Sequence, residues 1–104
     1  MSKEKLPGIN QFDLAGKAAI ITGGSKGLGL AMAAGLASAG ANVMLINRNA
    51  EEGKQAAEQL SDTYETKVAS FSADVTVKGQ TEAMAQATLD AFGRIDILIN
   101  SAGI

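Results

Sequence analysis

Short runs of consecutive apolar residues alternate along this chain with longer stretches in which apolar residues recur every three or four positions. The first run, Lys-Ala-Ala-Ile-Ile-Thr at 17–22, shows no polar alternation and is flanked by turn residues. That is the pattern of a strand buried on both faces. Residues 30–38 are rich in Ala and Leu, a helix composition, and the stretch stops at Gly40, a residue suited to follow a helix C-terminus. A second buried strand is expected at 42–47, around Val43, Met44, Leu45 and Ile46. Asn49 followed by Glu52 has the spacing of a helix cap, and the helix it opens carries Ala56, Ala57 and Leu60 on one face. A third strand is expected at 67–73, with Val68, Ala69 and Phe71. Thr76 is expected to cap a third helix, in which Met84, Ala85, Leu89 and Phe92 fall at helical spacing. The run Ile-Asp-Ile-Leu-Ile-Asn at 95–100 predicts a fourth strand.

The order is β-α-β-α-β-α-β, an α/β chain. Alternation of buried strands with amphipathic helices implies a doubly wound parallel sheet of Rossmann-like type, with residues 1–12 as a polar arm and 13–104 as part of the domain. Such sheets bind ligands outside the carboxyl ends of their strands, where the strand order reverses. The ends of the four strands are therefore the places to look for chemistry.

Composition narrows that chemistry. The chain has 104 residues, enough for one domain. Aromatic residues make up 4%, so the core must be aliphatic. A formal net charge of −2 argues against a nucleic-acid partner. With neither Cys nor His, thiolate or imidazole metal sites and a Ser-His-Asp triad are excluded within these residues. No apolar run is long enough to span a bilayer, and the charged N-terminus leads into no apolar segment of a secretory signal. No membrane partner is expected, and a cytoplasmic location is.

The first strand ends in Thr-Gly-Gly-Ser-Lys-Gly-Leu-Gly, residues 22–29. A pyrophosphate must approach backbone N–H groups closely, and glycine leaves that approach open. Two alternatives fail. Gly24 to Gly29 has the glycine spacing of a P-loop, but Leu30 and Ala31 stand where Lys and Ser or Thr are needed. The fingerprint G-x-G-x-x-G would put its third glycine at Met32. The pattern present is T-G-x-x-x-G-x-G, with Gly23, Gly27 and Gly29. It resembles the glycine motif of the short-chain dehydrogenase/reductase family, and the preceding Phe-Asp-Leu-Ala-Gly-Lys at 12–17 is similar to that family's usual lead into its first strand.

The resemblance implies an NAD(P)(H)-binding domain, with Gly23, Ser25, Lys26, Gly27, Leu28 and Gly29 around the dinucleotide. The second strand ends in Asn47 and Arg48, where an NAD-selective site carries a carboxylate for the ribose 2′-hydroxyl. A guanidinium can instead grip a 2′-phosphate, and Lys26 adds a second positive charge. NADP(H) is therefore expected in preference to NAD(H). The third strand ends in Asp74 and Val75, which by resemblance contact the adenine; on the residues alone, a local turn or cap acceptor is the alternative reading of Asp74. The fourth ends in Asn100, Ser101, Ala102 and Gly103, where the family usually has Asn-Asn-Ala-Gly. Asn100 would tie neighbouring strands together, and Ala102 and Gly103 would leave room beside the nicotinamide ribose.

Family chemistry is hydride transfer between nicotinamide and an alcohol or carbonyl carbon, with a tyrosine as acid/base and a lysine four residues later. The single tyrosine, Tyr64, has Val68 at that spacing and reads as a surface or packing residue. No catalytic residue is assigned. The expectation is an N-terminal fragment of such an enzyme, inactive alone, whose full-length form would take a small alcohol or ketone substrate and assemble as a homo-oligomer. The alternative is a dinucleotide-binding sensor or interaction module without turnover.

Overall fold

The computed structural model describes residues 13–101. The expected arm at 1–12, and Ala102 and Gly103, lie outside the described residues. Strands β1 (Ala18–Thr22), β2 (Asn42–Asn47), β3 (Val68–Ser72) and β4 (Ile97–Asn100) alternate with helices α1 (Gly27–Ser38), α2 (Ala50–Thr63) and α3 (Gln80–Phe92). All pairings are parallel, in the order β3-β2-β1-β4. The chain thus winds outward from β1 through β2 to β3, then returns to add β4 on the opposite side of β1. That reversal opens a crevice at the carboxyl ends of β1, β2 and β4. The Rossmann-like reading holds.

Burial follows the apolar runs. All five residues of β1 are buried, and so are 43–47 of β2. Their side chains alternate between two cores. On one face Ile21, Val43 and Leu45 pack against Ala33 and Ala37 of α1 and Ala56, Ala57 and Leu60 of α2. On the other, Ile20, Met44 and Ile46 meet Met84 of α3, with Phe71 and Phe92 at the margin. Small alanines on the inner faces of α1 and α2 let these helices lie close to the sheet. Tyr64 is partly buried against the first core, as expected of a packing residue.

The expected boundaries hold for β2 and shift elsewhere. Helix α1 begins inside the glycine turn, at Gly27, and Gly40 follows its end with φ +102°. Thr76 does not cap α3, contrary to expectation. Its N–H and hydroxyl both donate to Asp74 Oδ1, at 2.9 and 2.6 Å. This local turn occupies Thr76, so the helix starts four residues later, after Gly79 in the left-handed region. Strand β4 begins at Ile97 rather than Ile95. Asp96 is held just before it, accepting from Ala18 N–H at 2.9 Å and from Arg94 at 2.7 Å. Leu98 is 60% exposed on this outer strand.

Candidate functional site

The turn between β1 and α1 is shaped by two glycines in the left-handed region, Gly23 at φ +71° and Gly27 at φ +62°. Three glycines of the turn have distinct environments. A Cβ on Gly27 would meet no atom within 4 Å, so that side of the turn faces open space. A Cβ on Gly24 would come within 2.8 Å of Leu45 Cδ2 in the core. A Cβ on Gly29 would collide with the Gly23 carbonyl oxygen and lie 2.6 Å from Ser101 Oγ. Gly29 therefore lets the first turn of α1 sit directly against the ends of β1 and β4.

Helix α1 has no side-chain hydrogen bond at its N-cap, Lys26, and no acidic residue in its first turn. Its leading N–H groups and the positive end of its dipole lack a built-in anionic partner. Helix α2 is completed differently: Asn49 Oδ1 accepts from Glu52 N–H at 3.0 Å, and Glu51 and Glu52 lie in its first turn. The cap read from Asn49 and Glu52 is thus present.

The strand ends are tied to one another beneath the turn. Thr22 Oγ1 donates to Asn100 Oδ1 at 2.8 Å, so Asn100 does link neighbouring strands. Ser101 is buried, and both its N–H and its hydroxyl donate to the Thr22 carbonyl oxygen. At the end of β2, Asn47 is also buried, with its side chain beneath Gly53 of α2. Its Oδ1 has no hydrogen-bond partner.

These elements enclose a cleft of about 640 Å³. Of the expected site residues, Gly23, Ser25, Lys26, Gly27, Leu28, Gly29, Asn47, Arg48, Asp74, Val75 and Ser101 line it. Asn100 stands behind it, through Thr22. The lining also includes Thr22, Asn49, Glu52 and Thr76, which the sequence reading did not assign to the site. The sequence marks Glu52 only as half of a cap. A residue at the third position of a capped helix also points back toward the preceding loop, and that was the available signal.

Charge is concentrated at the rim. Lys26 Nζ lies 3.8 Å from Glu52 Oε1 across the gap between the glycine turn and α2. On the facing side, the hydroxyl and the N–H of Thr76 hold the Asp74 carboxyl below its ordinary range, and the Arg48 guanidinium adds to that effect. Asp74 therefore does act as the acceptor of a local turn, and it faces the cleft as well.

The sequence profile described as short chain dehydrogenase matches residues 17–104. The chain belongs to that family. The chain is 44% identical over 91 residues to the 3-oxoacyl-(acyl-carrier-protein) reductase FabG of Chlamydia muridarum, covering 88% of this chain and 37% of the relative. Among solved structures, L-sorbose reductase of Gluconobacter frateurii, complexed with NADPH and L-sorbose, superimposes with a TM-score of 0.85 at 35% identity. That match covers 89% of this chain and 35% of the reductase. RhlG of Pseudomonas aeruginosa, in a complex with NADP, gives a TM-score of 0.81 at 40% identity, over 89% of this chain and 37% of RhlG. This short-chain dehydrogenase chain thus spans little more than a third of the length of the relatives it matches. It is an oxidoreductase-family chain whose described residues form a Rossmann-like parallel sheet. None of its described helices is long and apolar enough to cross a membrane.

Proposed function

We propose that these residues hold NADP(H), in preference to NAD(H), for hydride transfer between the nicotinamide and an alcohol or carbonyl carbon. The observation that carries this reading is the N-terminus of α1. It is uncapped by any side chain, it is free of acidic residues in its first turn, and it is fronted by Gly27 with open space where a Cβ would stand. A diphosphate fits that cradle. The backbone N–H groups of the turn would bind its oxygens, with no side chain between them. Asp74, its carboxylate oriented by its bonds from Thr76, would accept from the adenine amine, with Val75 beside the ring. Lys26 and Arg48 would bind the 2′-phosphate, Arg48 with two parallel N–H donors. Ser101 would line the nicotinamide end of the cleft, with Asn100 tying the strands behind it.

The bound dinucleotide would supply or accept the hydride. No Tyr-x-x-x-Lys occurs in the 104 residues, so turnover by them alone is not expected. Binding of NADPH by L-sorbose reductase and of NADP by RhlG supports the cofactor preference. The substrate stays broad, a small alcohol or carbonyl compound. The relatives named above include a reductase of 3-oxoacyl thioesters and a reductase of a ketose.

Calorimetric titration with NADPH and NADH tests the proposal. NADPH is expected to bind at least tenfold more tightly, and Arg48→Ala should remove most of that difference while sparing NADH. Equal affinities would refute the roles of Lys26 and Arg48. Failure of both dinucleotides to bind folded protein at millimolar concentration would refute the reading as a whole.

A further inference from the structure

The two cations lining the cleft have different carboxylate neighbours: Lys26 lies against Glu52, while Arg48 shares the lining with Asp74. The two carboxylates differ in how they are held. Asp74 is fixed by two bonds from Thr76. The Glu52 side chain has Lys26 as its partner, at 3.8 Å, and is itself 46% exposed. Its backbone is held in place, because Asn49 caps α2 through the Glu52 N–H. A negative charge is thus mounted on a fixed support beside Lys26, in the lining of the cleft that Arg48 shares.

We propose that Glu52 is a selectivity residue, which holds Lys26 in the free protein and opposes a phosphate on the adenosine ribose. The inference rests on the dinucleotide reading given above. A 2′-phosphate arriving at this rim must draw Lys26 away from Glu52 and then lie close to the carboxylate left behind. An unphosphorylated ribose requires neither. Glu52 therefore weakens binding of the phosphorylated dinucleotide alone, and the site discriminates less than its two cations would allow. Exposed ion pairs of this kind shift an equilibrium by at most about fivefold. Repulsion between a carboxylate and a phosphate a few ångströms apart adds an effect of similar size, which salt screens.

The test is Glu52→Gln, which keeps the backbone N–H used by Asn49 and places a residue well suited to that helix position. Fluorescence titration of NADPH and NADH against both proteins reads the effect. Expected for E52Q is an NADPH Kd about three- to tenfold lower, an NADH Kd within twofold of the parent, and a difference that shrinks at high salt. In a Lys26→Gln background the same substitution should gain less, because there is no ammonium left to release. An NADPH affinity that is unchanged or weakened in E52Q overturns the inference while the parent's binding keeps the dinucleotide reading intact. An equal gain in the Lys26→Gln background also overturns it. Absence of binding by the parent protein overturns both.

Discussion

Gly27 and Gly29 lie two residues apart and should fail in different ways when given a side chain. At Gly27 an alanine meets no atom but must adopt φ +62°, which costs about 1–2 kcal/mol for an L-residue. At Gly29 the added carbon collides with the Gly23 carbonyl and crowds Ser101 Oγ, which is itself bonded to Thr22. Neither neighbour can turn aside, so the loss should reach about 3 kcal/mol, the upper range for overpacking. Urea denaturation of the two variants should therefore rank Gly29→Ala as the less stable. NADPH titration should find Gly27→Ala folded but at least tenfold weaker in binding. A Gly27→Ala protein that binds normally would contradict the close approach assigned to that residue. These roles were only partly legible in the sequence. The glycine spacing points to a phosphate cradle, but which glycine faces the open cleft and which faces the end of β4 depends on Ser101, more than 70 residues away. Glu52 was missed for a similar reason. Its pairing with Lys26 joins the glycine turn to the first turn of α2, which only the sheet brings together.

Local signals served well where a single turn of chain decides the outcome. The Asn49 cap on α2 was legible because donor and acceptor are three residues apart. Asn49→Ala should destabilise the domain by about 1 kcal/mol, measurable as a lowered urea midpoint by circular dichroism. The start of α3 was misread because two local motifs compete for Thr76. A threonine can cap a helix, but Asp74 lies two residues before it and takes its N–H and hydroxyl first. The chain must then turn through Val77 and Gly79 before the helix can begin. Likewise the apolar run at 95–100 suggested a longer strand than forms. Arg94 and Asp96 close an ion pair that anchors the chain to Ala18 before pairing starts at Ile97.

For the molecule as a whole, the alternation of strands and helices was plain in the sequence, whereas the lateral order β3-β2-β1-β4 depends on long-range pairing. Its trace in the residues is graded: the fully apolar runs became the central β1 and β2, while the runs containing Ser70, Ser72 and Asp96 lie toward the margins. The outer attachment of β4 carries a pH dependence. Asp96 is held below its usual range by the Arg94 side chain, then by the Ala18 N–H, with Lys17 contributing least, and Asp74 is lowered by Thr76. Carboxyls with lowered pKa in the folded state stabilise it above their unfolded value near 3.9. That contribution is lost as the pH falls below it. The melting temperature should therefore change little with these groups between pH 7 and 5 and fall below about pH 4. Asp96→Asn should melt lower at pH 7 and show a shallower acid decline. An identical decline in that variant would remove Asp96 from the account.

The contact between Asn47 and Gly53 has a bearing on how this domain can change over time. Because Gly53 of α2 closes over the Asn47 amide, a longer side chain at position 47 would press on the helix backbone. An aspartate, matching asparagine atom for atom, needs no extra room there. Exchange at position 47 is thereby confined to a narrow path: isosteric replacement, with the helix above acting as a mould that rejects bulk whatever its charge.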